Sequence, residues 1–208
     1  MRPQVRLLLA ALAALLLLAL VIAVVVGGSS GRSSGSSPSA GAPSQFDGAP
    51  LPGAGAPDFT LTDQRGRPVS LRDYRGRVTI LTFLYSTCRS ACVVIAQQIR
   101  GALDELGAGV AALAVSVDPA ADSPAHVRAF LERVALSGRL EYLTGSPAQL
   151  ARVWRAYRVA PASDGEAAYA SSAPVLLLDR AGRERVEYEL EELTPESLAH
   201  DVRKVETG

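Results

Sequence analysis

Short apolar segments alternate with helical segments through most of the chain that follows residue 57. The segments 78–85, 111–117 and 175–178 have the length and composition of buried strands. Segments with helical periodicity or helix-capping residues lie between them. Because parallel neighbours in a sheet need a crossover connection, which is usually a helix, this order favours parallel pairing. The sequence therefore predicts an α/β fold with a mixed central sheet flanked by helices.

Two antiparallel hairpins complete the predicted sheet. The first is N-terminal and joins alternating segments at 59–62 and 69–71, and the second joins 175–178 to 183–189. A helical pattern occupies 93–106, and prolines that follow Asp, Ser or Thr capping residues begin three further helices. The predicted order is a hairpin followed by β-α-β-α-α-β-β-α.

A pair of cysteines follows the first buried strand directly. Cys88 and Cys92 lie at the junction between the strand 78–85 and the helix 93–106. If the helix begins near Cys88, the two side chains share one face within about 5–6 Å of each other, which is inside disulfide reach. First-turn amides and the helix dipole favour a thiolate there, and Arg89 adds positive charge. A thiolate is the reactive form for disulfide exchange and for binding Cu(I).

Three interpretations of this pair are open. The cysteines carry out thiol–disulfide exchange, they bind copper(I), or they form a structural disulfide in an interaction module. A structural bond would close a loop of only five residues. Such a bond constrains little of the unfolded chain, which favours the two functional interpretations.

The N-terminus carries the pattern of a membrane anchor. Residues 7–26 form an uninterrupted run of 20 apolar residues, about the length that a helix needs to cross a bilayer. Arg2 and Arg6 precede the run, which predicts a cytoplasmic N-terminus at 1–6 and export of the rest. A cleaved signal peptide is the alternative, although its apolar stretch is usually only about 7–15 residues long. We therefore expect a single-pass plasma-membrane protein with an extracytoplasmic domain.

Composition defines the regions that follow the anchor. Residues 27–56 consist mainly of Gly, Ser, Ala and Pro, which predicts a disordered linker before a domain at 57–208. The 21 basic and 21 acidic residues balance, so nothing indicates nucleic-acid binding. A four-ligand zinc site would need both cysteines and both histidines to converge. His126 and His200 are instead expected to be solvated helix residues.

Several motifs resemble those of the SCO/SenC family. The resemblance rests on the segment 85–92, on Ser-Val-Asp-Pro at 116–119 followed by Asp-Ser-Pro at 122–124, and on 177–182. It implies a thioredoxin-like fold over about 57–205 and a role in cytochrome c oxidase assembly, by delivering copper or by reducing thiols at the copper site. The family binds copper through a C-x-x-x-C pair and one distant histidine. The implied partner is an exported thiol or copper-site protein, such as a cytochrome c oxidase subunit.

The copper-ligand histidine of the family is missing from this sequence. Ser171 occupies the matching position, and Arg89 replaces the family's proline after the first cysteine. Pro174 begins a segment that resembles the cis-proline segment of thioredoxins, which lies against the active disulfide. We therefore expect a cis bond before Pro174, with an ordinary trans proline at a strand start as the alternative. These differences favour thiol–disulfide exchange at Cys88, Cys92 and Pro174 with no required cofactor, and copper(I) binding by the same two cysteines is the alternative. By fold analogy, Cys88 is the expected exposed nucleophile and Cys92 the buried resolving thiol.

Overall fold

An eight-stranded mixed sheet forms the centre of the computed structural model, which describes residues 45–107 and 109–207. The strands are β1 Ala49–Pro50, β2 Thr60–Asp63, β3 Pro68–Ser70, β4 Thr79–Leu84, β5 Ala111–Ser116, β6 Glu141–Thr144, β7 Val175–Leu178 and β8 Glu184–Tyr188. Their spatial order is β1-β8-β7-β4-β5-β6-β2-β3. The predicted N-terminal hairpin, β2–β3, therefore lies at one edge of the sheet.

Helices connect the strands much as the sequence predicts. The α-helices are α1 Ala91–Leu106, α2 Pro124–Arg133, α3 Pro147–Tyr157, α4 Glu166–Ala170 and α5 Pro195–Thr207, and short 3₁₀ helices span Leu71–Tyr74 and Ala162–Asp164. Ser123 caps α2 by accepting a hydrogen bond from a first-turn N–H group, and Ser146 forms a capping box with Gln149 in α3. These two predicted helix starts are confirmed.

The middle of the sheet confirms the predicted mixture of pairings. Strand β4 pairs in parallel with β5 and antiparallel with β7, and β5 pairs in parallel with β6. Every residue of β4, β5 and β7 is buried. Strands that are covered on both faces form continuous apolar runs, which is why the sequence revealed these three. The carboxyl end of β4 delivers the chain to the cysteine pair from the centre of the sheet.

Three elements differ from the prediction. Strand β6 has only four residues and begins with a glutamate, so its sequence does not stand out from a loop. Strand β1 has two exposed residues and depends on pairing with β8. Helix α4 follows Gly165 and has no side-chain cap. All three are short elements that tertiary contacts stabilise, and local sequence signals for such elements are weak.

The predicted disordered linker, 27–56, is wrong for its last part. Strand β1 pairs with β8, and the buried carboxylate of Asp201 accepts hydrogen bonds from the backbone N–H groups of Asp47 and Gly48 at 2.9 Å each. A Cβ atom on Gly48 would lie 2.6 Å from a methyl carbon of Val186, so this close approach requires glycine. The globular domain therefore begins near residue 45 rather than at 57.

The predictions nearest the N-terminus lie outside the described residues. They concern the cytoplasmic segment 1–6, the transmembrane segment 7–26 and the linker as far as residue 44. Among the helices of the described ranges, none combines the length and the apolar character that crossing a membrane requires.

Candidate dithiol site

The cysteine pair lies just beyond the carboxyl end of β4. Cys88 belongs to the turn after β4, where its N–H donates to the carbonyl of Tyr85 at 3.2 Å, and Cys92 belongs to the first turn of α1. Helix α1 begins at Ala91 with Ser90 as its N-cap, so the prediction that both cysteines share a helix face is wrong. The side chains still meet, because the N–H of Cys92 donates to Cys88 Sγ at 3.2 Å. This N–H is one of the first-turn amides that have no partner within the helix.

Both thiols are buried and unbonded to each other. The exposed fraction is 2% for Cys88 and 0% for Cys92, and both are free cysteines. The expectation that Cys88 is exposed is therefore wrong. Arg89 and Ser90 are exposed between them, so the turn itself lies at the surface while its sulfur atoms are covered. A partner reaches Cys88 only if a covering group moves.

The two thiols differ strongly in acidity. The pKa of Cys88 is lowered to about 6, chiefly because the Cys92 thiol donates a hydrogen bond to the Cys88 sulfur. The N–H groups of Ser90 and Cys92 and the hydroxyl of Tyr85 also donate to this sulfur and lower its pKa further. These donors outweigh burial, which raises the pKa. Burial raises the pKa of Cys92 well above its usual value, and the contact with Cys88 adds to the increase. Near neutral pH the pair therefore holds a thiolate on Cys88 and a proton on Cys92.

A tyrosine that the sequence prediction missed completes the site. Tyr169, on α4, is fully buried, and its hydroxyl donates to the carbonyl of Phe83 at 2.7 Å and lies 3.2 Å from the Cys92 sulfur. Its ring packs edge-to-face on Tyr85, with a centroid distance of 5.1 Å. The only sequence signal for Tyr169 is its size, because the other residues of 160–172 are small or polar.

A buried carboxylate fixes the turn that carries Cys88. Asp122 accepts hydrogen bonds from the N–H of Ser86 at 2.7 Å, from the hydroxyl of Ser116 at 2.6 Å and from the hydroxyl of Tyr142 at 2.8 Å. Because Ser86 precedes Cys88 by two residues, this network ties the cysteine turn to β5 and β6. The sequence analysis used Asp122 as a potential helix cap and as part of a family motif, whereas the structure shows that its carboxylate holds the cysteine turn in place.

Ser171 and Pro174, which precede β7, have roles that differ from the predicted ones. All peptide bonds of the described residues are trans, so the prediction of a cis bond at Pro174 is wrong. The carbonyl of Pro174 accepts a hydrogen bond from the Thr82 hydroxyl at 3.1 Å, which links β7 to β4. Ser171 is exposed at the end of α4, and its hydroxyl donates to the carbonyl of Ala167 at 2.8 Å. The residue of this region that is hydrogen-bonded to the cysteine pair is Tyr169.

The histidines have other partners. His126 is exposed as expected, and its Nδ1 lies 2.8 Å from the carbonyl oxygen of Ala121. His200 is partly buried between two carboxylates, with its Nδ1 2.9 Å from Asp201 and 3.1 Å from Asp47. In the part of the chain that the structure describes, neither histidine is hydrogen-bonded to a cysteine. The donors that the site offers to a soft metal are therefore the two sulfur atoms.

The fold is a mixed sheet flanked by helices, and a thiolate and a thiol lie where its central strand meets a helix. This combination defines a thioredoxin-like dithiol protein. Within that class, the chain belongs to the SCO1/SenC family, whose family model matches residues 49–207. The match confirms the resemblance seen in the sequence. It begins at the first residue of β1, in agreement with a domain that starts before residue 57.

Individual relatives match different shares of the chain. The mitochondrial SCO2 homolog of Bos taurus is 34% identical over 110 residues, which are 50% of this chain and 41% of the bovine protein. A copper-bound structure of ScoI from Bradyrhizobium japonicum is 32% identical with a TM-score of 0.55, and the match covers 73% of this chain and 99% of that one. BsSco is a member of the Sco family of cytochrome c oxidase assembly proteins in which a disulfide switch was identified. It is 24% identical with a TM-score of 0.63, over 77% of this chain and 97% of BsSco, and at that identity it supports the fold alone. The chain thus matches less than half of the bovine protein.

Proposed function

We propose that the protein carries out thiol–disulfide exchange through Cys88 and Cys92 on the outer side of the plasma membrane. The observation that carries this proposal is the division of the pair into a stabilised thiolate and a buried, protonated thiol. Exchange needs one sulfur that is deprotonated near ambient pH and a second that resolves the mixed disulfide. A purely structural disulfide needs neither property.

In the reducing direction, the Cys88 thiolate attacks one sulfur of a partner's disulfide. A bond forms between Cys88 Sγ and that sulfur, the partner's S–S bond breaks, and its second sulfur leaves as a thiolate that takes up a proton. Cys92 then gives up its proton, and its sulfur attacks Cys88 Sγ and releases the partner's first sulfur. Two electrons pass from the cysteine pair to the partner, which becomes a dithiol. The oxidising direction reverses the same steps.

We propose an exported thiol or copper-site protein as the partner, with a cytochrome c oxidase subunit as the first candidate. The support is that the chain belongs to the SCO1/SenC family, for which the resemblance in the sequence implies a role in cytochrome c oxidase assembly. The apolar run at 7–26 supports attachment to the membrane, and the two arginines before it support an extracytoplasmic domain. Cysteine chemistry of this kind also suits an oxidising compartment.

Copper(I) transport is the second candidate function, because ScoI of Bradyrhizobium japonicum has a copper-bound structure. Two thiolates are soft donors that suit Cu(I) as a cargo. The family's third ligand has no counterpart here, since the Ser171 hydroxyl is a hard donor that is already bonded within α4. Copper would therefore be held by Cys88 and Cys92 alone, and its binding would displace the proton from Cys92.

Serine variants of the two cysteines test the exchange function in the full chain. The pre-reduced wild type should reduce a protein disulfide, and Cys88→Ser should lose this activity by about two orders of magnitude or more, because the thiolate is the nucleophile. Cys92→Ser should instead accumulate a mixed disulfide on Cys88, which mass spectrometry detects. Undiminished exchange by Cys88→Ser would contradict the proposal.

The redox potential separates exchange from the alternatives. A potential below about −300 mV together with no exchange activity would indicate a structural bond. Competition for Cu(I) with a chelator, on the reduced full chain, measures the second candidate function. Tight copper binding that Cys88→Ser abolishes, without any exchange activity, would favour copper transport over exchange.

A further inference from the structure

We propose that Tyr169 is a positioning and specificity-determining residue of the dithiol site, a role that rests on the thiol chemistry proposed above. Its ring closes the cysteine pair against small thiols and oxidants, and its hydroxyl holds the Cys92 sulfur in place. A partner protein gains access by displacing the cover segment, which we define as residues 162–172.

Tyr169 is the buried anchor of the cover segment. Every other residue of 162–172 is exposed or partly exposed, whereas Tyr169 has an exposed fraction of 0%. The segment consists of a 3₁₀ turn and the five-residue helix α4, which has no side-chain cap. So short a helix has little stability of its own. The position of the cover segment therefore depends on the contacts that Tyr169 makes.

The ends and the middle of the cover segment are held differently. Near its two ends, the N–H of Ala162 and the hydroxyl of Ser172 are hydrogen-bonded to backbone groups outside the segment, at 3.0 and 2.8 Å. In the middle, Glu166 accepts a hydrogen bond from the Ser90 hydroxyl at the exposed edge. Tyr169 provides the buried contact beneath it. The middle can thus lift from the thiols while both ends stay attached.

The Tyr169 hydroxyl determines how the Cys92 side chain is oriented. The hydroxyl lies between two groups, 2.7 Å from the carbonyl oxygen of Phe83, to which it donates, and 3.2 Å from the Cys92 sulfur. The same cysteine contacts Cys88 Sγ through its backbone N–H at 3.2 Å. Both sulfur atoms are therefore fixed relative to the end of β4, one by the helix amide and the other by Tyr169.

A cover that Tyr169 holds in place explains how buried thiols can still take part in disulfide exchange. With exposed fractions of 2% and 0%, neither cysteine is open to solvent. Tyr169 contacts Cys92 directly and packs on Tyr85, whose hydroxyl donates to Cys88. A small disulfide or peroxide has no surface with which to displace the cover. A partner protein can contact the exposed side chains of the cover segment and of Arg89 and open the site as it docks. The site then selects partner proteins over small reagents by restricting access to the thiols.

The rate at which iodoacetamide alkylates Cys88 in the reduced full chain tests this role. Tyr169→Ala removes both ring and hydroxyl, so the rate should rise about tenfold or more as the cover segment opens. Tyr169→Phe keeps the ring and loses one hydroxyl, so we expect a rise of only about two- to fivefold. Tyr157→Phe is the matched control, because Tyr157 is also buried and donates to the carbonyl of Pro57 at 2.7 Å. It should react at the wild-type rate.

A second measurement separates positioning from a general loss of stability. The ratio of the exchange rate with a small aromatic disulfide to that with a protein disulfide should rise about tenfold in Tyr169→Ala, because only the small reagent is excluded by closure. The free energy of unfolding is measured alongside, and Tyr169→Phe provides the test if Tyr169→Ala does not fold. Wild-type alkylation rates in the Tyr169 variants, or equal acceleration in Tyr157→Phe, would overturn the inference. If the wild type reduces no protein disulfide but Tyr169→Ala still accelerates alkylation, the exchange function fails and the role of Tyr169 as a cover stands.

Discussion

The two sides of the cysteine pair are built in different ways. On one side, the turn that carries Cys88 is fixed by the buried carboxylate of Asp122, and a guanidinium nitrogen of Arg133 lies 3.4 and 3.5 Å from the carbonyl oxygens of Ser86 and Cys88. On the other side, the cover segment 162–172 is mostly exposed and has one buried tyrosine as its anchor. Satisfied buried polar networks are rigid, whereas segments with few buried contacts open at low cost. The Cys88 turn can therefore hold the thiolate in a fixed position, while the cover segment controls access to it.

Removal of the Asp122 carboxylate should destabilise the Cys88 turn, which is the rigid side of the site, and this should be the largest of the predicted effects. Asp122→Ala leaves the N–H of Ser86 and the hydroxyl of Ser116 without an acceptor, whereas the Tyr142 hydroxyl can still donate to the carbonyl of Leu84 at 3.0 Å. Each unpaired buried group costs about 1–3 kcal/mol, so we expect the free energy of unfolding to fall by about 3 kcal/mol or more in urea denaturation. Asp118→Ala is the control, since that carboxylate accepts one part-buried N–H at 3.1 Å and should matter much less. Equal losses in the two variants would show that Asp122 does not organise the turn.

The pH dependence of Cys88 alkylation probes the donors on the rigid side. Only the thiolate reacts, and the pKa of Cys88 is about 6, so the rate should be half-maximal near this pH and level off above it. Cys92→Ala removes the main donor to the thiolate. Because the donors stabilise the deprotonated form, the midpoint should rise toward the ordinary thiol pKa of about 8.5. Alkylation of the reduced full chain, followed by mass spectrometry at a series of pH values, gives both midpoints.

Cys92→Ser is the control for this measurement. Its hydroxyl can still donate to the Cys88 thiolate, so its midpoint should lie between those of the wild type and Cys92→Ala. A midpoint that stays near 6 in Cys92→Ala would assign the lowered pKa to the backbone N–H groups and the Tyr85 hydroxyl.

The rigid side of the site was largely predictable from the sequence. Strands β4, β5 and β7 are buried on both faces, so they form apolar runs that mark the centre of the sheet. The position of the cysteines directly after one such run placed them at its carboxyl end. The sequence could not show that α1 begins at Ala91, because helix boundaries depend on the geometry of a few residues.

The cover segment was not predictable in the same way. Its helix α4 has no periodic apolar pattern and no cap, and it is held by long-range contacts of Tyr169 with Phe83 and Cys92. Spacing suggested that Pro174 lies against the thiols in the cis form, but spacing does not determine the isomer of a peptide bond, and most X-Pro bonds are trans. Local sequence thus defined the central buried strands and the position of the dithiol, and only tertiary contacts identify what covers the dithiol.

A histidine at the end of the cover segment should give the site a third copper donor. Ser171→His introduces an imidazole at the position that matches the family's ligand, and we expect the affinity for Cu(I) to rise about tenfold in competition with a chelator. Ser163→His is the control, because Ser163 is also exposed and also lies in the cover segment. An unchanged affinity in Ser171→His would show that this end of the cover segment does not approach the sulfur atoms.

Loss of the exposed contact between the two sides should give the smallest effect. Ser90→Ala removes only the hydrogen bond from the cysteine turn to Glu166, and an exposed hydrogen bond competes with water, so the alkylation rate of Cys88 should rise by about twofold. The N–H of Ser90, which donates to Cys88, is unaffected by this change. Glu166→Gln keeps an acceptor oxygen and should have a weaker effect still. If Ser90→Ala accelerated alkylation as much as Tyr169→Ala, the main anchor of the cover segment would lie at its exposed edge, and the contrast between a fixed turn and a cover held from beneath would no longer describe the site.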